Sequence, residues 1–193
     1  QDNGIKVFDH LGYKLSPSLE ARVEALVLSN GFRDAEITGS GIGKAFRIDD
    51  ARGRYIECCK SSIDNLSLQG LKIVLDCANG AAYHIAPYIF SELGAEVISL
   101  NTAPDGLNIN LDCGALHPEQ MQRAVRKHRA DLGIALDGDA DRIIVCDEKG
   151  KLVNGDHLHA LMALDLAAKG NLAKQTVVST VMANLVFHEA MRK

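Results

Sequence analysis

Three aspartates, Asp137, Asp139 and Asp141, stand at alternate positions in the stretch LGIALDGDADRIIVCDEKG at 132–150, between two apolar runs. Extended backbone puts alternate residues on one side, whereas on a helix Asp139 would point away from the other two. A straight strand still spaces such residues by ~6.6 Å. Meeting at one centre therefore requires the chain to curl, and Gly138 and Ala140 are small enough to let it. Carboxylates in mutual contact raise one another's pKa unless a cation joins them. Oxygen-only ligation favours a hard divalent ion such as Mg²⁺, which keeps positions open for water or phosphate oxygen. Arg142 directly follows the third aspartate, where its planar guanidinium could grip a phosphate oxygen beside the ion or pair with the aspartates themselves.

Competing readings of the same residues differ in what they demand. A solvated acidic turn needs nothing further. A calcium loop of the helix–loop–helix kind starting at Asp137 finds Glu148 at its twelfth position, but Arg142 stands where that loop requires glycine, and apolar strands flank it in place of helices. That reading is excluded. A phosphatase with a nucleophilic aspartate after a strand would use Asp137 for attack and Asp139 as the acid, and the spacing leaves it open.

The elements that must position these residues are legible in the pattern. From Leu71 onwards, LKIVLD, AEVISL and DLGIAL read as short buried strands. They alternate with helices over NGAAYHIAPYIFSELG, closed by Gly94, and HPEQMQRAVRKHRA, with Pro118 in its first turn. RIIVCD leads through EKGK into LV as a hairpin. Alternating strands and helices call for a mixed, mostly parallel sheet covered on both faces, and in such sheets ligands bind beyond the carboxyl ends of the strands. The aspartate loop leaves its strand at that end. Upstream, residues 16–30 place Leu19, Val23, Leu26 and Val27 on one helical stripe behind Ser16 or Ser18, with Gly31 as a stop and an earlier segment as the packing partner. A polar connector covers 39–53, a helix follows at about 51–63, and a helix–strand–helix unit begins after 154.

Composition limits the function classes. The chain has 193 residues, 47% of them apolar and 24% charged, enough to bury a core. A formal net charge of −4 with scattered basic residues argues against nucleic acid or an anionic membrane as partner. No apolar run reaches the ~18 residues of a membrane span. Five cysteines, odd in number and without a CxxC, read as small core residues of a cytoplasmic protein. The start at QDNGIKVF, without Met, reads as part of a longer protein.

With those residues in view, DGDADR resembles the metal-binding loop of the α-D-phosphohexomutases, usually written DGDGDR, with Ala140 in place of the middle glycine. DNGIKVF at 2–8 is similar to the tail of that family's catalytic serine loop, ASHNP followed shortly by NGIK. PDGLNINLDCG at 104–114 resembles the form in the bacterial branch acting on glucosamine phosphate, and VVSTVMANL at 177–185 the opening of the third domain. The resemblance implies a reversible isomerase interconverting glucosamine 6-phosphate and glucosamine 1-phosphate for cell-wall precursors, through a phosphoserine and a bisphosphorylated intermediate. Phosphomannose and phosphoglucose branches share the aspartate loop.

Carried over residue by residue, the resemblance makes Asp137, Asp139 and Asp141 the Mg²⁺ ligands and has Arg142 steady the phosphoserine. Lys6 becomes a positive group near the transferred phosphoryl. The chain divides accordingly into the end of a phosphoserine domain (1–50), a metal-loop domain (51–154) and the start of a sugar-binding domain (155–193). The phosphoserine falls upstream of Gln1 and the sugar-recognition loop beyond Lys193, so this stretch alone is expected to be inactive. Ala115 and Leu116 stand where the branch often has Ser and Thr. Ala140, carrying a methyl in place of a hydrogen, is expected to avoid a positive φ.

Other candidates carry less. His157 and His159 point about 200° apart on a helix and do not share a metal. DCANGAA at 76–82 reads as a strand-to-helix turn before an anion cradle. GSGIG at 39–43 lacks the Lys-Ser/Thr ending of a phosphate loop.

Overall fold

The computed structural model describes residues 7–29, 39–63 and 66–192. It divides into two compact units, Gln1–Asp49 and Asp50–Lys193.

In the first unit, helix α1 (Pro17–Leu28) starts behind Ser16, with Pro17 in the first turn, where a missing N–H leaves no bond unmade. None of its residues is buried, and the stripe of Leu19, Val23, Leu26 and Val27 stays exposed. The packing expected for that stripe is therefore absent among the described residues. Gly31, expected to end the helix, lies outside them; Ser29 caps it. An isolated bridge pairs Phe8 with Lys14 around a tight turn in which Asp9 accepts the N–H groups of Leu11 and Tyr13.

The second unit is built on one sheet. Strand β1 (Lys72–Asp76) pairs in parallel with β2 (Glu96–Leu100) on one side and β3 (Leu132–Leu136) on the other. Strands β4 (Ile143–Cys146) and β5 (Leu152–Val153) extend it as an antiparallel hairpin, giving the order β2-β1-β3-β4-β5. Only β4 runs against the others among the described residues, so the sheet is mixed and mostly parallel. Asp147 closes the hairpin by accepting the N–H groups of Lys149 and Lys151, and Gly150 supplies the positive φ of +75°.

The period of two in β1 sorts the core into two layers. Ile73, Leu75 and Cys77 meet Ala82, Ala86 and Ala95 on one face, under α3 (Ala86–Glu92). Val74 and Ala135 meet Met121, Val125 and Cys146 on the other, under α4 (Glu119–His128). Each Val, Leu, Ile or Met side chain among them, fully buried, contributes about 1.5–3 kcal/mol. Helix α2 (Ala51–Ser61) buries Ile56 and lies against α3.

Two segments differ from expectation. The helical stretch before Gly94 is split into a 3₁₀ turn (Ala81–His84) and α3, because Pro87 has no N–H to bond back one turn. Beyond 154, α5 (Gly155–Ala168) and α6 (Leu185–Ala190) form, but the expected strand between them does not. A strand exists through its ladder, and VVST finds no partner among the described residues; Val178 and Val181 are exposed. Helices α5 and α6 are tied together where Asp156 accepts the Asn184 N–H at 3.0 Å and His159 stacks on Phe187 at 4.8 Å.

Gly133 in β3 lies beneath α4: a Cβ there would sit 2.7 Å from Val125 Cγ2, 2.8 Å from Cys146 Sγ and against Met121 Sδ. Gly133→Ala is expected to destabilise the fold by about 1–3 kcal/mol through overpacking, read as a lower Tm. An unchanged Tm would mean that the α4–β3 seam has slack.

Candidate metal centre

The loop begins where β3 stops. Asp137 follows Leu136 and is only 1% exposed, while Asp139 and Asp141 are exposed. The Ala140 N–H bonds back to the Asp137 carbonyl at 3.0 Å, closing a turn, and Ala140 itself takes φ +60°. This corrects the expectation of a negative φ. Six residues carry the chain from Leu136 to its antiparallel partner Ile143, and within that loop Ala140 is left-handed, its methyl accommodated at a cost of about 1–2 kcal/mol. The curl gathers the carboxylates as the spacing required, since one oxygen from each of Asp137, Asp139 and Asp141 lies within 4.8 Å of the others. A magnesium ion with oxygens at about 2.1 Å sets them about 3 Å apart when adjacent and about 4.2 Å when opposite. The observed 4.8 Å limit lies just above that range, and three carboxylates are the oxygen donors such an ion takes, so the donor set fits a hard divalent cation.

Arg142 supplies positive charge in the loop. Its backbone N–H donates to Asp137 Oδ1 at 3.0 Å and its Nε to Oδ2 at 2.7 Å, with Asp141 Oδ1 3.6 Å away. Burial pushes the Asp137 carboxyl up, but the two hydrogen bonds and the charge of Arg142 outweigh it and hold it below its usual value. Arg142 is in turn pushed up, chiefly by its bond to Asp137. Of the two roles open to this arginine, the ion pair with the aspartates is the one formed here.

The loop rests on residues that sequence reasoning passed over. The Gly138 carbonyl accepts the Ala81 N–H at 2.8 Å, and a Cβ on Gly80 would strike that carbonyl. A Cβ on Gly138 would sit 2.7 Å from Asn110 Nδ2 and 2.8 Å from Ile109 Cδ1, so the NIN phrase packs directly on the loop. Asp76, fully buried at the end of β1, was read as the end of a strand and the start of a turn, with no role of its own. An aspartate closing an otherwise apolar strand run was the available signal. The turn reading of DCANGAA holds and the anion cradle does not: the N–H groups of Ala78, Asn79, Gly80 and Ala81 are all engaged within the fold.

Lys6 lies outside the described residues. His157 and His159 both sit on α5, and His159 packs on an aromatic ring. GSGIG forms a short 3₁₀ turn at Gly39–Gly41. All five cysteines are free; Cys77, Cys113 and Cys146 are buried as expected, whereas Cys58 is exposed and Cys59 only partly buried, so these two are not core residues. Burial pushes the Cys77 thiol to about 12 and that of Cys113 to about 11, leaving both as inert core residues. Among the described residues no helix is long and apolar enough to cross a membrane.

Comparison with known proteins adds an independent finding. Residues 53–150 match the family described as phosphoglucomutase/phosphomannomutase, alpha/beta/alpha domain II. The chain is 55% identical to a phosphoglucosamine mutase of Pelobacter propionicus, over all of this chain and 43% of that protein. It is likewise 55% identical to one from Anaeromyxobacter sp., covering 99% of this chain and 42% of that protein. The chain thus spans less than half the length of the curated relatives it matches. A phosphoglucomutase/phosphomannomutase family protein from Burkholderia thailandensis superimposes with a TM-score of 0.60 at 26% identity, covering 81% of this chain and 33% of that one.

The strained residue in the loop gives a direct test of its geometry. Ala140→Gly relieves the left-handed strain but adds freedom to the unfolded chain, so a net gain of about 0.5–1 kcal/mol is expected. Thermal unfolding checks it, and a loss of stability would show that Ala140 is not held at positive φ.

Proposed function

The chain belongs to the phosphoglucomutase/phosphomannomutase family, and from that premise we propose that the protein carrying it interconverts glucosamine 6-phosphate and glucosamine 1-phosphate. The choice of hexose rests on the relatives named as phosphoglucosamine mutases, 55% identical across this whole chain, and on the NIN phrase packed against the aspartate loop. The single observation that carries the chemistry is the convergence of three carboxylate oxygens, within 4.8 Å of one another, just past the carboxyl end of β3.

In this reading Asp137, Asp139 and Asp141 hold Mg²⁺, which supplies positive charge beside a phosphoryl group in transit when bound. Asp137 is the fixed member, set by burial and by Arg142. The other two are exposed and adjust to the ion. Arg142 spends its Nε on Asp137, which leaves its terminal nitrogens to grip an oxygen of the phosphoserine in the forked geometry that suits phosphate. Lys6 adds a second positive group near the transferred phosphoryl. Residues 1–50 close the phosphoserine domain, 51–154 form the metal-loop domain and 155–193 begin the sugar-binding domain. The five free cysteines accord with a cytoplasmic protein.

An assay of glucosamine 6-phosphate turnover by the full-length protein, with and without chelator, tests this reading. Activity should require a divalent cation and should fall about 10²-fold or more in Asp139→Ala, equivalent to several kcal/mol of lost charge stabilisation. Turnover indifferent to both would overturn the metal role. Faster turnover of mannose or glucose phosphates would overturn the choice of hexose.

A further inference from the structure

Asp76 ends β1 with no solvent exposure, a position where an apolar residue would avoid the desolvation penalty of a carboxylate. Neutral donors meet it: the Ala78 N–H and the Asn101 Nδ2 reach Oδ1, each at 2.9 Å, and the Gly114 N–H reaches Oδ2 at 3.0 Å. One side chain thereby ties together the β1–α3 turn, the residue following β2 and the end of the long loop before α4.

Two of those three ties lead to the aspartate loop. Gly114, at φ +71°, sits so close to β3 that a Cβ would lie 2.5 Å from the Leu136 carbonyl and 2.5 Å from Ala78 Cβ. The turn that begins at Ala78 continues to Gly80 and Ala81, which abut and hydrogen-bond the Gly138 carbonyl. Ala78 also accepts the Asn110 N–H at 2.9 Å, anchoring the segment that packs on Gly138 from another direction. The carbonyls of Leu136 and Gly138, on either side of Asp137, thus both abut backbone that Asp76 pins. The braces are themselves strained. Ala78, Asn79, Asn101 and Asn110 take φ values of +51°, +48°, +51° and +57°, conformations that persist only where the surroundings over-determine them.

We infer that Asp76 is a positioning residue for the aspartate loop, setting the backbone on either side of Asp137 so that the three carboxylates face one cation. The inference rests on the reading that Asp137, Asp139 and Asp141 bind a divalent ion. Asparagine at position 76 keeps the shape but replaces one acceptor oxygen with an NH₂ group, so one of the three donors loses its partner. The brace should slacken and the ligands spread.

The test is titration of the full-length protein with Mn²⁺ alone, followed by the loss of the free-ion signal in electron paramagnetic resonance, with thermal unfolding of every variant alongside. Asp76→Asn is expected to weaken Mn²⁺ binding about 10- to 100-fold, as for other residues that orient ligands without touching the metal. Asn101→Gly removes one donor, suits the positive φ, and should weaken binding about threefold or more. Val125→Ala, on the buried face of α4, should lower Tm yet keep the Mn²⁺ affinity within about twofold, as expected of independent sites. Folded Asp76→Asn with wild-type affinity overturns the inference. If that variant does not fold, Asn101→Gly decides in the same way. Equal loss of affinity in Val125→Ala would reduce Asp76 to a general structural role and overturn it as well. Should Asp139→Ala leave Mn²⁺ binding unchanged, the cation reading itself fails and the inference falls with it; loss in Asp139→Ala but not in the Asp76 and Asn101 variants sinks the inference alone.

Discussion

Like charges crowded at the end of a buried strand are the constraint from which the rest of this structure follows. Asp137 is withdrawn from solvent beside two exposed carboxylates, and its burial disfavours the charged form unless positive charge or directed hydrogen bonds answer it. Arg142 answers it partly, with a backbone and a side-chain donor on the two oxygens of Asp137. That this suffices to hold Asp137 below its usual value explains how the loop stays closed around one buried aspartate. Asp139 and Asp141 are solvent-exposed, which suits a hard ion that retains positions for other oxygens.

Everything behind the loop serves to hold that unfavourable cluster still. The parallel pairing of β1 with β3 sets Asp76 beside Ala135, so the two strands deliver their acidic ends to the same edge of the sheet. The apolar layers on both faces make the edge rigid. Space is the second device. Gly80, Gly114 and Gly138 each sit where a methyl group would meet neighbouring atoms, so the turn after β1, the approach to α4 and the loop after β3 approach one another closely. Close approach of backbone requires each N–H and C=O to find a partner there, and the N–H groups from Ala78 to Ala81 do so.

Much of this was legible in the sequence, and the boundary of what was not follows physical range. The strands announced themselves by short apolar runs, the hairpin by EKGK, and the triad by alternation, because each of these depends on neighbours a few residues away. The Asp76 clamp spans 25 residues to Asn101 and 38 to Gly114, and no local pattern encodes such a pairing. The left-handed Ala140 was misjudged because the residue's own preference was weighed without the turn that overrides it. The segment at 177–180 has the composition of a strand, but a strand also needs an edge to join, and composition says nothing of that. Helix α1 formed from its own periodicity, whereas the partner of its apolar stripe could not be read from the stripe alone.

The claim on which the function rests is that Asp137, Asp139 and Asp141 share one cation. A crystal structure of the full-length protein grown with magnesium tests it most directly. If the claim holds, density for an ion appears about 2.1 Å from one oxygen of each aspartate. Carboxylates splayed apart around ordinary water, with no common centre in saturating magnesium, would contradict it.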